Sequence, residues 1–275
     1  MKIFQKFSLI ILVLFILFSF NSGNSDAELL QKIITEMEER SSYDFEEYPL
    51  GLFSKEYFKT EAAYAEKQLN ELNKINAKNL SETESISLEL LKFKLQDTID
   101  YYEFERFLNP LLSDSGFHTS FPFLVRPFQN YDQVKRYLIK LNAIPDRVNQ
   151  FLPLLREGLE KGVSQPRVIF NGYESSYNDH IVSDFKESYF YSPFNSLPNT
   201  LTKTQKDSVL NAAERAITKS VIPQFKVVKA FFEDEYYPKT RTTIGVSETT
   251  NGKEYYQNRI DFYTTSTQYT AEDIH

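Results

Sequence analysis

Three histidines and no cysteine bound what the side chains of this 275-residue chain can do. His118, His180 and His275 are too scattered to form a local metal motif, and no HExxH places two imidazoles on one helical face. Without cysteine there is no disulfide framework, thiolate zinc finger, iron–sulfur cluster or cysteine nucleophile. GxSxG, a Walker loop and GxGxxG do not occur either. Carboxylates are plentiful, but the run Glu233-Asp234-Glu235 sits at a helix end bounded by Pro238, where acids form a solvated face. His118 lies in an aromatic loop and His180 follows Asp179; neither has a sequence-visible partner to orient it as a general base. No residue is assigned a catalytic role and none a metal.

The elements that must position these side chains read as helices. Ser81-Glu82-Thr83-Glu84 is a capping-box sequence, Ser for the exposed N–H groups and Glu to bond back. It opens a segment whose apolar residues Leu88, Leu91, Leu95, Ile99 and Tyr102 recur every three or four positions. Thr202-Lys203-Thr204-Gln205 repeats the device ahead of Leu210, Ala213, Ile217, Val221, Phe225, Val228 and Phe232, with Pro223 expected to kink or divide the run. From Tyr131 to Lys161 a third stripe is broken by Pro145, and Gly162 is a C-terminal stop. Shorter amphipathic helices fit Leu29–Met37 and Ala62–Ile75. Two proline- and phenylalanine-rich loops, Asn109 to Pro127 and Tyr189 to Asn199, pack against the helices or wall a cleft. No window alternates with period two, so no major sheet is expected; Ile244-Gly245-Val246 suits one short extended piece. The fold class is all-α.

Residues 1–27 read as a secretory signal: Lys2 and Lys6, an uncharged run from Phe7 to Phe20 of about 14 residues, then Ser25 and Ala27 before a cut at Glu28. A spanning helix needs roughly 20 apolar residues, so a stable membrane anchor is not expected. Lipid attachment would need a cysteine after the apolar run. The expected location is periplasmic or extracellular, with residues 28–275 as one helical region. Net charge is −7, and cleavage removes two lysines and Asp26, so the mature chain is still more acidic. Nucleic acid is not an expected partner, because displacing phosphate counterions takes clustered Lys and Arg.

Thr270-Ala271-Glu272-Asp273-Ile274-His275 has the form of a helix start, with Thr as N-cap and acids in the first turn. So short a nucleus does not offset its own ordering cost. The expectation is that the chain is truncated at its C-terminal end and that a C-terminal half is missing.

The stretches Glu157–Arg167 (EGLEKGVSQPR), Val221–Phe225 (VIPQF), Phe231–Tyr256 (FFEDEYYPKTRTTIGVSETTNGKEYY) and Tyr269–His275 (YTAEDIH) resemble the DUF885 family, from about Asp44 onward. The resemblance implies an exported bacterial protein, about twice this length when complete, with a helical zincin-type metallopeptidase fold of which this is the N-terminal half. It implies zinc in the full-length parent, on an HExxPGH-type motif beyond His275, and a peptide substrate. None of that motif is present, so no cofactor is expected in this chain and no metal ligand carries over. Within the matching segments, Tyr255, Tyr256 and His275 are the candidates for lining a substrate cleft, since a tyrosine hydroxyl can donate to a developing oxyanion. The expected function is the N-terminal portion of an exported zinc-dependent peptidase or hydrolase, inactive alone. The alternative is a complete, non-catalytic exported helical binding protein.

Overall fold

The structure is a computed structural model that describes residues 25–275. The leader assigned to residues 1–27 therefore lies outside the described residues except for Ser25–Ala27. Those three sit in the first turn of helix α1 (Ser25–Glu39). The described chain divides into two compact units, one of residues 25–42 with 61–100 and one of residues 43–60 with 101–275. A single helical region was expected. The boundaries fall inside two helices, α2 (Lys55–Leu72) and α3 (Glu82–Glu103), and apolar periodicity along a helix carries no mark of such a division.

In the smaller unit Leu30, Ile33, Ala65, Leu72, Ile75, Leu88 and Leu95 form the core. The α3 stripe is responsible for two of these, Leu88 and Leu95. The capping box forms: the Glu84 N–H donates to Ser81 Oγ at 3.3 Å, and Ser81 N–H donates back to Glu84 Oε2 at 2.8 Å. Arg40 grips Glu61 with both guanidinium arms and lies 3.9 Å over the Tyr64 ring, a planar match an ammonium would not make.

The larger unit is built on α4 (Tyr131–Asn142), α5 (Ile144–Glu160), α6 (Lys203–Ala216) and α7 (Ile222–Ala230). Pro145 does separate α4 from α5, at the first turn of α5 where its missing N–H costs nothing. Gly162 ends α5 at φ 72°, with Val163 N–H donating to the Gly158 carbonyl and Gly162 N–H to that of Leu159. Thr202 and Gln205 complete the second capping box. Pro223 divides its run as expected, but by widening it: residues Ile217–Val221 form a π turn before α7, and Phe231–Tyr236 form a second after it. Proline offers no N–H and crowds the preceding carbonyls, so a locally wider helix relieves both. The stripe survives, with Ala213, Ile217, Val221, Phe225, Val228 and Phe232 all buried.

Two expectations need correction. Residues 244–246 form no strand; among the described residues the only sheet-like pairing is the bridge between Pro166 and Arg241, and Val246 begins a 3-10 turn to Glu248. The second aromatic loop is largely wound into the 3-10 turn Tyr189–Ser196, capped by Ser188, and the first carries a shorter one, Phe121–Leu124. Proline-rich segments too short for α-helix satisfy their backbone this way. Phe117 and Phe121 pack inside, whereas Phe123 stays 70% exposed.

Gly158 is where α5 touches the carbonyl of Leu108, too near for a β-carbon. Gly158→Ala should cost about 2 kcal/mol in a urea titration through this overpacking; a cost under about 0.5 kcal/mol would show that the backbone yields freely there.

Candidate functional site

The sequence candidates gather at the C-terminal end of the larger unit. Gly252 opens helix α8 (Gly252–Thr264), since any side chain there would strike the Val246 carbonyl. Successive helical residues point about 100° apart, so Tyr255 and Tyr256 part company. Tyr255 turns to Phe104, ring centroids 6.0 Å apart. Tyr256 turns to His275. Their rings lie 6.1 Å apart at 25°, and the phenol oxygen is 3.3 Å from Nε2.

The chain reverses to make this meeting possible. Thr265 ends α8 in a left-handed conformation, φ 51°. The chain returns as α9 (Ala271–Ile274), capped by Thr270 and Asp273. Gln257 ties the two arms, donating to Asp261 at 2.8 Å and to the Tyr269 carbonyl at 2.7 Å. A phenol beside an imidazole can share one proton and present the other's lone pair to a polar ligand. The pair lies at the surface, with Tyr256 half-buried and His275 exposed.

The other histidines are structural. His118 is fully buried among Phe117, Tyr173, Tyr177 and Phe232. Its Nε2 lies 2.8 Å from Ser176 Oγ, whose hydroxyl donates to the Tyr173 carbonyl at 2.6 Å. Ser176 therefore accepts, Nε2 carries the proton, and Nδ1 is left unprotonated and without a partner. Burial pushes the imidazole down to about 3. His180 packs on Phe225, centroids 4.5 Å apart, and burial lowers it too. His118 is sealed in the core, whereas His180 is half-buried.

Two acids of the 233–235 run are engaged, and Asp234 between them is exposed. Glu233 accepts from Tyr177 Oη at 3.2 Å and from Lys229 Nζ at 2.9 Å. Glu235 takes Arg156 Nε at 2.7 Å, and that guanidinium holds its carboxyl below the usual range. Among the described residues no group of three His, Asp or Glu side chains stands close enough to hold a metal ion.

Two of the segments that carried the family resemblance meet in space, which sequence reasoning missed. Arg167 N–H donates to the Arg241 carbonyl at 2.8 Å, and Arg241 Nε donates to the Ser164 carbonyl at 2.8 Å. Arg241 Nη1 also binds the carbonyls of Thr243 and Gly245, at 2.7 and 2.9 Å. Arg241 is a clip for irregular backbone, and its five fixed donors suit the task. Arg241→Ala should free three carbonyls and loosen residues 241–248, seen as faster amide exchange there; unchanged exchange would dismiss the clip.

The chain is thus a mainly helical protein in which His118 is buried, His180 half-buried and His275 exposed. The chain belongs to the DUF885 family, bacterial proteins of unknown function, whose sequence profile matches residues 40–275. Its fold is similar to the crystal structure of a candidate lipoprotein from Colwellia psychrerythraea, with a TM-score of 0.62 at 13% identity. The match covers 89% of this chain and 46% of that one, so this chain spans about half the length of its neighbour. No curated protein matches the sequence.

Proposed function

We propose that this chain is the N-terminal, helical portion of an exported zinc-dependent hydrolase acting on peptides, with the metal centre outside the residues described. The observation that carries the reading is the length relation: nearly all of this chain corresponds to less than half of its structural neighbour. A hydrolytic zinc needs three protein ligands and an open position for water, which lowers that water's pKa towards about 7. The described residues offer no such set, so they do not fit the metal and no step is derived through it. Their part would be to wall the substrate cleft. Tyr256 and His275 would hold a polar group of a bound peptide, and Tyr263, Ile274 and Tyr269 expose apolar surface near the same end, 79, 50 and 47% respectively. Such surface suits cover by a further segment. Export is supported by the leader-like residues 1–27 and by the name of the Colwellia protein.

The experiment compares the purified 275-residue chain with the product of the same locus read past His275. The chain alone is expected to hold no stoichiometric zinc and to cleave no peptide; the longer product is expected to do both. Stoichiometric zinc in the short chain, or a longer product that binds none, would reject the reading. Two hydrophobic cores closed within the described residues favour a second reading, a non-catalytic exported helical binding protein. Cooperative unfolding of a monomer without aggregation supports the second; aggregation through exposed apolar surface supports the first.

A further inference from the structure

The larger unit holds a surface pocket of about 430 Å³ far along the chain from the Tyr256–His275 pair. Its lining brings together residues from three places: Phe45, the turn around Phe123 and Arg126, and the helix α4 face of Arg136 and Lys140. Arg136 and Lys140 stand one turn apart and so point to the same side. The floor is fixed. Phe128 and Tyr137 are buried with ring centroids 5.5 Å apart, and Tyr137 Oη donates to the Phe190 carbonyl at 2.9 Å. The N-terminus of α4 is held as well, by Asn130 accepting from Gln133 N–H at 3.0 Å.

The rim is unusual in two respects. Phe45 and Phe123 are 53% and 70% exposed, so phenyl surface faces water on both flanks of a concavity. The lining also contains three cations, Arg126, Arg136 and Lys140, and no carboxylate, in a chain with 38 acidic residues against 31 basic ones. Among the described residues none of the three closes a salt bridge. Arg126 donates to its neighbour's carbonyl, Val125, at 2.9 Å, and Lys140 Nζ lies 5.9 Å from the Phe45 ring centroid. Asp132, on the same helix, is held by Lys135 at 2.8 Å; that bond first, and the Arg136 charge after it, keep its carboxyl below the usual range. Three like charges whose one counter-charge on the same helix, Asp132, is already bound by Lys135 raise the local potential, and apolar walls strengthen its hold on an anion.

We propose that this pocket binds a small organic anion with an aromatic or aliphatic body. The body lies against Phe45, Phe123 and Phe128, and its acidic group is taken by Arg126, Arg136 and Lys140. Guanidinium forks match a planar carboxylate in two parallel bonds, which sets the orientation, while the phenyl walls select the apolar end. An apolar body alone leaves the cations unpaired and an acidic group alone leaves the phenyl walls in water, so tight binding takes both.

Calorimetric titration with 4-phenylbutyrate and with its uncharged amide, 4-phenylbutyramide, tests this on the full chain. The carboxylate is expected to bind roughly tenfold more tightly than the amide and to weaken as salt rises. The double variant R136Q/K140Q, both positions on an outer helix face, should lose about that factor for the carboxylate and leave the amide unchanged. Phe123→Ser should weaken both ligands. Equal affinity for acid and amide, no detectable binding of either, or indifference to R136Q/K140Q overturns the proposal. Binding to phosphatidylserine vesicles without binding of phenylbutyrate also overturns it, in favour of a membrane-facing patch. Failure of the zinc experiment leaves this result untouched, because the pocket contains no residue of the proposed cleft.

Discussion

Replacing Phe232 with alanine is expected to destabilise the larger unit by about 4 kcal/mol, the range found when a buried phenylalanine leaves a cavity. Phe232 is fully buried in the second π turn, at the centre of a set of rings rather than at its edge. Its centroid lies 5.3 Å from that of His118, 5.4 Å from Tyr173, 5.5 Å from Tyr237, 5.8 Å from Tyr236 and 5.9 Å from Tyr177. These neighbours come from three separate stretches of chain, so they cannot all collapse into the space at once. Urea titration followed by circular dichroism measures the change. Phe123→Ala is the control, since its side chain is 70% exposed and the expected change is within about 0.5 kcal/mol. A loss below about 1 kcal/mol for Phe232→Ala would mean that the ring cluster repacks and is not the keystone its geometry suggests.

Mild acid is expected to weaken the protein well before its carboxylates titrate. An unfolded histidine protonates near pH 6.5 (about its ordinary value), whereas burial holds folded His118 down to about 3. Between those limits the unfolded chain binds a proton that the folded chain refuses. Stability is therefore full above about pH 6.5 and falls with pH by about 1.4 kcal/mol per unit. His180, lowered mainly by burial and partly restored by Asp179, adds in the same direction. Glu157, Glu235 and Asp273 have carboxyls held below their usual range by Lys55 and Lys161, by Arg156 and by Thr270, so their contribution is lost only at lower pH. The interval from pH 7.5 to 5 thus isolates the histidines. Urea midpoints over that interval should fall steeply for the native chain and less steeply for His118→Gln, whose amide can still donate to Ser176. An unchanged slope in the variant would show that His118 is not the group responsible.

Legibility in the sequence followed the range of the interactions. Caps at Ser81, Thr202 and Thr270, the break at Pro145 and the stop at Gly162 depend on residues within a few positions, and each stands where the sequence puts it. The divergence of Tyr255 and Tyr256 was implicit in their adjacency on a helix, yet which of the two would meet His275 depended on the turn at Thr265. Residues 244–246 read as one short extended piece, but a strand needs a partner, and among the described residues there is only the single bridge at Arg241. Pro223 announced a disruption without saying that it would be a π turn.

The sequence by itself therefore determined a helical protein of the DUF885 family, with an acidic surface, no thiol chemistry and no helix-borne histidine pair. Those properties reside in composition, caps and periodicity, which are local. Tertiary structure alone decided that His118 is a neutral core residue, that Arg241 clips Ser164 to the 243–245 turn, and that three cations and exposed phenyls share one pocket. The physical reason is that burial and electrostatic potential are sums over neighbours brought from distant parts of the chain. Residues 45, 126 and 140 carry no sign of one another until the fold closes around them.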